Sequence, residues 1–576
     1  MSWASFLLLV ESLEAAAEGK GRPGFVDLVF SPEPDLEEEL GKHGLPQFGL
    51  RSRQPLSDLD AIVLLPRQVF EVPEALALLD RGKVPVRRAD RGPTHPLILL
   101  AGPLAAAPDL VREFVDLVLH GDPEAFSGDL LQSMGEGGAL RPSRDSLVKG
   151  MGDLPGVLDP GKPGRDGATA RWVESLPLRW GPPLVSLTEV ALPGFPVLLS
   201  RPLGSAGLPW RDGGWRYRAA DEVIAEVETL VAETGCSDVR ITGEGASRHP
   251  ELLSILEVLN QRLQPHEVQV RLDELDPSVL SPALARELRK SRFQTLVFTP
   301  QAASERLREE VGRPLTSAAM VEAARIASLG GWAQLRFRVY AGVPGETEED
   351  RREWERTMVE IAALRPRRGF TTRFQLEVVP YVVPPGAGGE APSPVSPAEM
   401  EAAAGAWRTA LKRHRIRVVA GDFVKASLET LLLRSGERAG TALQEVFARG
   451  GRRQGNGDSF DAGLWQGAME AADLFGSGSA PAGPPPLPAS TLVPAPASSP
   501  GTPGFGTPAW TGGRRPRRAG RGRDTRSAER FRLRYSKDEA MRFFSHLDVT
   551  RAFERACRRS QLPVAMSQGK DRRPRF

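Results

Sequence analysis

Between residues 183 and about 421 of this 576-residue chain, short apolar runs alternate with longer amphipathic stretches at least six times over. The runs read as strands at Val197–Ser200, Val239–Thr242, Val268–Leu272, Thr295–Thr299, Gln334–Tyr340, Arg373–Pro380 and Ile416–Ala420. Apolar residues at helical spacing predict helices near Ala219–Glu233, Pro250–Leu263, Pro282–Lys290, Ser317–Leu329, Glu348–Leu364 and Pro397–His414. Consecutive units of this length point to a full or partial (β/α) barrel, in which chemistry sits on the loops after the strands. The loop after the first strand, "SRPLGSAGLPWRDGGWRYR" (Ser200–Arg218), therefore holds the most functional address in the chain. It carries no cysteine, no histidine and no pair of acids.

Residues 1–165 alternate differently. Apolar runs at Phe25–Phe30, Asp60–Pro66, Pro96–Pro103 and Phe114–Asp122 are separated by helical stretches such as Asp35–Gly44 and Val72–Gly82, with loops over Gly150–Gly167. That pattern predicts a doubly wound α/β domain with a parallel sheet and helices on both faces. Residues 422–475 read as a helical extension. From Gly476 to Gly512 there are 10 prolines in 37 residues, a composition that cannot offset chain entropy, so 476–527 is expected to be a disordered linker. Residues 528–576 begin a small α+β piece, with a strand from Phe531 and a helix carrying Phe553, Ala556 and Cys557 on one face. A piece of that size is expected to dock on another surface or to be the start of something longer.

Charge and cysteine use narrow the function classes. From Gly513 to Phe576 the chain has 18 Arg and 2 Lys against 7 acids, net +13, while the whole chain is only +2, which leaves −11 for the rest. An acidic body with a basic tail is the expectation. Arg514, Arg515, Arg517, Arg518, Arg521 and Arg523 form a flexible tract suited to phosphate contacts with RNA or a ribosome-associated partner; a solubilising linker is the alternative reading. Two cysteines, Cys236 and Cys557, allow neither a disulfide framework nor a cysteine-rich zinc site, and fit a reducing cytoplasmic setting. No apolar run reaches membrane-spanning length, and the N-terminus lacks a signal-peptide pattern. The 7 histidines form no metal-binding pair on a helical face. Gly121–Glu124 ("GDPE") reads as a solvated helix start. Thr347 with Asp350, and Ser545 with Asp548, read as helix caps.

Four segments together resemble the cobalamin-binding-domain radical SAM proteins that end in a radical SAM-linked domain: Val29–Ile62, His95–Phe126, "AGVPGETEED" (Ala341–Asp350) and "FFSHLDVTRAFERACRRSQLPVAMSQG" (Phe543–Gly569). The resemblance implies a Rossmann-like cobalamin domain, a radical SAM barrel, a four-iron cluster and S-adenosylmethionine. In the family the first barrel loop reads R-G-C-x3-C-x2-C. Laid from Arg201, the three cysteine positions fall on Leu203, Gly207 and Trp210, so no cluster is expected. Trp210 is expected to be buried at the barrel mouth, against Gly243–Glu244–Gly245. That turn, by the resemblance, meets the amino group of S-adenosylmethionine; equally, it is an ordinary strand-to-helix turn. The cobalamin signature Asp-x-His-x-x-Gly is absent, and no cobalamin is expected. Two functions follow. One is a catalytically silent scaffold or RNA-associated factor. The other is an enzyme, either a radical SAM enzyme or a non-radical S-adenosylmethionine binder.

Overall fold

The computed structural model describes residues 9, 10, 13, 26–134, 142–162, 170–173, 194–202, 215–291, 293, 295–311, 314–364, 372–383, 395–455, 459–475, 491–493, 534–537, 545–560 and 562. The first part contains α1 (Pro34–Lys42), β1 (Ala61–Leu64), α2 (Val72–Arg81), β2 (Leu97–Leu100), β3 (Leu117–Leu119), α3 (Ser127–Ser133), α4 (Arg144–Gly152), β4 (Val157–Leu158) and β5 (Arg171–Val173). β1, β2 and β3 are parallel neighbours, but β4 closes the sheet antiparallel to β3. The expected all-parallel sheet is thus corrected at one edge, and the expected loop over Gly150–Gly167 contains the end of α4 and β4. Nor is Val26–Phe30 a strand. The Asp27 carboxylate accepts the backbone N–H groups of Leu28, Arg51 and Ser52 at 2.7, 2.8 and 3.0 Å, tying this segment to the chain some 25 residues on.

Alternation along β2 divides two cores. Leu97 and Leu99 pack with Leu117, Leu119, Phe126, Leu130, Leu147 and Met151, the side of α3 and α4. Ile98 and Leu100 pack on the other side with Leu76 and Leu79 of α2.

The second part runs β6 (Phe195–Leu198), β7 (Ser200–Pro202), β8 (Trp215–Tyr217), α5 (Ala220–Thr234), β9 (Asp238–Thr242), α6 (Leu252–Leu263), β10 (Gln269–Leu272), α7 (Pro282–Leu288), β11 (Thr295–Gln301), α8 (Glu305–Glu310), α9 (Ser317–Leu329), β12 (Gln334–Ala341), α10 (Glu348–Ala363), β13 (Arg373–Pro380), α11 (Pro397–Lys412) and β14 (Arg417–Ala420). β6, β9 and β10 form one parallel sheet and β11 to β14 another, with a parallel bridge between Leu275 and Phe298 linking them. The strands follow chain order, as a series of strand–helix units requires. One expected strand is corrected: Ser200 does not extend β6 but opens β7, which pairs antiparallel with β8. Thr347 and Asp350 cap α10 reciprocally, as the sequence indicates.

After β14 come α12 (Phe423–Arg434), α13 (Glu437–Ala448) and α14 (Ala462–Ala471). They are not a free-standing extension. Leu428, Leu432, Leu443, Val446, Trp465 and Met469 complete the core on the α2 side of the N-terminal sheet. Phe70 meets Trp465 edge-on, ring centroids 4.7 Å apart. Within the segment expected to be disordered, β15 (Thr491–Val493) pairs parallel with β5. Finally α15 (His546–Arg559), with Ser545 and Asp548 in a capping box, packs on α5; Arg558 donates to the Gly235 carbonyl at 3.0 Å.

Candidate functional site at the mouth of the strands

The loop that follows β6 leaves through β7 and returns through β8. Leu203, Gly207 and Trp210 lie outside the described residues, as do Arg514, Arg515, Arg517, Arg518, Arg521 and Arg523. The stems of the loop are described in full. Arg201 on β7 and Arg216 on β8 are register partners, and both reach into the N-terminal part. Arg201 grips Glu124 with two parallel hydrogen bonds, Nη1 to Oε2 at 3.0 Å and Nη2 to Oε1 at 2.7 Å, and reaches Asp122 Oδ1 at 3.1 Å. Arg216 pairs with Asp122 Oδ2 and donates to the Pro202 carbonyl at 3.0 Å. The Val173 N–H donates to the same Asp122 Oδ2 at 3.0 Å.

All four side chains are buried, Glu124 to 1 % exposure. Burial works against the charge on Arg201, but the Glu124 and Asp122 carboxylates outweigh it and raise its pKa. The solvated reading of Gly121–Glu124 is therefore overturned: these acids tie the N-terminal part to the loop stems. The sequence signal was faint, since their partners lie 77 to 94 residues away.

Beside the stems, Gly243, Glu244 and Gly245 follow β9 and are brought together with β7 and β8. Gly243 (φ +127°) lies so close to β7 that a Cβ there would sit 2.4 Å from the Ser200 carbonyl oxygen. Gly245 (φ +75°) would place a Cβ 2.6 Å from the Trp215 ring. Ser200 Oγ donates to the Glu244 carbonyl at 2.6 Å. The glycines thus admit the chain's own hairpin at close range. Trp215 on β8 lies against Gly245; the expected position of Trp210 falls outside the described residues.

Below this turn, Arg218 pairs with Glu226, whose carboxyl burial pushes up to about 7. His249 Nδ1 accepts the Glu251 N–H at 3.0 Å. Its Nε2 therefore carries the proton and donates to the Arg218 carbonyl at 2.8 Å.

A second polar constellation lies on the strand face turned away from the helices. Along β12, Leu335, Phe337, Val339 and Ala341 are buried in the core, so Arg336, Arg338 and Tyr340 point to the opposite face. Arg336 and Arg338 meet Glu377 at 3.5 and 3.3 Å, and Arg338 also reaches Glu274. Arg240 meets Asp273 at 2.8 Å, and Arg271 meets Asp238 at 3.4 Å. Burial raises Asp238 to about 6 in spite of the nearby arginines. The alternation "QLRFRVY" (Gln334–Tyr340) carries this polar face openly in the sequence.

The donor set for a four-iron cluster does not fit. Such a cluster takes three thiolates in this fold, and the whole chain has two cysteines, neither in the loop. Cys236, just before β9, is buried, and its thiol is pushed up to about 11 by burial, the wrong direction for a metal ligand. Among the described residues no group of three or more His, Cys, Asp and Glu is placed to hold a metal ion. The glycine turn packs against Ser200 and Trp215 on one side, while Glu244 stays exposed.

Residues 22–160 match the family described as radical SAM proteins, N-terminal; residues 201–358 match the radical SAM superfamily; residues 530–576 match an uncharacterized protein family conserved in bacteria. No curated protein matches the sequence significantly. Among solved structures, the chain is similar to the radical S-adenosylmethionine methyltransferase TsrM from Kitasatospora setae, solved with cobalamin and a 4Fe-4S cluster bound. Identity is 13%, over 80% of this chain and 96% of that one, with a TM-score of 0.46. It is also similar to the cobalamin-dependent S-adenosylmethionine radical enzyme OxsB (12%, 62% of this chain and 50% of that one, TM-score 0.37) and to coproporphyrinogen III oxidase from Escherichia coli (17%, 31% and 40%, TM-score 0.24). Among the described residues no helix is long and apolar enough to cross a membrane. Two radical SAM models, matched in chain order, together span more than half of the sequence, and the chain belongs to the radical SAM superfamily.

Proposed function

We infer that this chain is a radical SAM superfamily protein that has given up cluster chemistry and works in the cytoplasm as a non-catalytic scaffold for an RNA or ribosome-associated partner. The observation that carries the reading is the loop from Arg201 to Arg218, which keeps its place after the first strand but has no cysteine. Three features support it. Asp122 and Glu124 clamp both loop stems in place of a cofactor. Trp215 and Ser200 pack closely against Gly245 and Gly243. The arginines on the open strand face are matched by carboxylates of the same chain. A basic tract at 514–523 supplies phosphate-binding charge, and arginine contacts to phosphate position a partner without reading bases. Neither cluster nor cobalamin belongs to this reading.

Anaerobic reconstitution followed by iron and sulfide analysis tests it. The expected result is substoichiometric iron and no broad visible absorption; a stoichiometric cluster sinks the reading. Equilibrium dialysis with S-adenosylmethionine tests the non-radical alternative, and saturable binding at one per chain would favour it. For the tail, neutralising all six arginines should remove most of a log–log salt slope that approaches about −4 to −5 in the unaltered chain.

A further inference from the structure

Outside the mouth of the strands, α7 and the residues after it leave a groove of about 500 Å³ against the C-terminal end of α9. Its floor is apolar, from Pro282, Ala285, Ile326 and Leu329, and Leu329 is 48 % exposed. Four cations rim it: Arg286, Arg289, Lys290 and Arg325. Glu287 pairs with Lys290 and Glu322 with Arg325, both at 2.6 Å, so the rim keeps a net positive charge. An apolar trough between two helices with a cationic rim suits an acidic helix that shows leucine.

Such a helix exists on the same chain. α1, "PDLEEELGK", buries Leu40 but exposes Leu36 to 47 %. Asp35, Glu38 and Glu39 are exposed around it, and Glu33 precedes it. Glu37 alone turns inward, to Arg81 at 2.7 Å and Arg452 at 2.6 Å, while Lys42 bridges Glu38 and Glu39. The exposed face is acidic with an apolar centre, the complement of the groove in sign and in the place of its apolar residues.

We propose that the groove between α7 and α9 receives α1 of a second copy of the chain. The two surfaces differ, so the contact is head-to-tail: each copy offers one groove and one helix, and assembly continues past the dimer. One helix in one groove buries less than a standard interface of about 1,600 Å², so the dissociation constant should be on the order of tens of micromolar. Rim charges set the encounter, so the contact weakens as salt rises.

Sedimentation equilibrium on the full chain, from about 1 to about 200 µM at low and at high salt, reads this out. The weight-average mass should climb beyond that of a dimer at low salt and fall back at high salt. Reversing the rim with Arg286→Glu and Arg325→Glu should weaken assembly at least about 10-fold, and so should Glu38→Lys with Glu39→Lys. All four positions are exposed, so the fold should survive, and circular dichroism checks that it does. Mixing the two reversed proteins should restore growth, because each again meets its opposite charge. A mass that stays monomeric throughout, one that levels off at the dimer, charge reversals without effect, or a mixture that stays monomeric would each overturn the proposal.

Discussion

Two sets of arginine–carboxylate pairs in the protein, one at the domain contact and one on the open strand face, differ in burial. At the domain contact, Arg201, Arg216, Asp122 and Glu124 are all buried, and Arg201 holds Glu124 through two parallel bonds. On the open strand face, the Arg336 and Arg338 side chains keep 40% and 36% of their surface, and they meet one Glu377 at longer range. Burial removes water as a competing partner, so a lost partner in the first set leaves an uncompensated charge; in the second set water takes over. The same residue types therefore hold two parts of the chain together in one place and only line a wet surface in the other.

The largest expected effect breaks the buried set. Glu124→Gln keeps the shape but removes a charge from Arg201, which retains only Asp122. A cost of about 2–4 kcal/mol is expected, seen as a lower midpoint in urea. Full stability in the variant would place the clamp among ornamental contacts.

A smaller effect lies in pH dependence. Asp238 titrates near 6 in the folded chain because burial disfavours its charge, against a usual value of 3.8. The folded state then holds the proton longer than the unfolded one, so stability falls as pH rises from about 4 to about 6. Partial exposure and the neighbouring Arg271, Arg240 and Asp273 limit the effect to about 1–2 kcal/mol. Asp238→Asn should flatten the stability profile in that window, and an unchanged slope would assign it elsewhere.

The smallest effect belongs to Glu377→Gln on the open face. A loss of about 1 kcal/mol or less is expected, and it should vanish in high salt, whereas the Glu124→Gln loss should persist. Equal salt response in the two variants would erase the distinction drawn from burial.

Much of the second part was legible in advance. β9 to β14, α5 to α7 and α9 to α11 lie within a few residues of their expected places, because each is written locally as a period of two or of 3.6 and is bounded by Gly, Pro or a capping residue, whereas the short α8 had no such signal. The first part was less legible. Asp27 ties Val26–Phe30 to Arg51 and Ser52, 24 and 25 residues on, in place of a strand ladder, a contact that no apolar period reveals. Leu428, Leu432 and Trp465 looked like a separate helical unit, because an amphipathic helix announces that it has an apolar face but not which sheet will cover it.

At the site the division is sharper still. The sequence alone determined that the loop after the first strand carries no cysteine, and with it the mismatch to a three-thiolate cluster, since ligand chemistry depends on residue type and not on placement. Only the tertiary structure decided what holds the stems of that loop. Asp122 and Glu124 find Arg201 and Arg216 across 77 to 94 residues, and Trp215 comes to rest on Gly245. Such contacts depend on how two independently patterned parts are docked, and docking is fixed by the shape and charge of assembled surfaces, which no local period in the chain encodes.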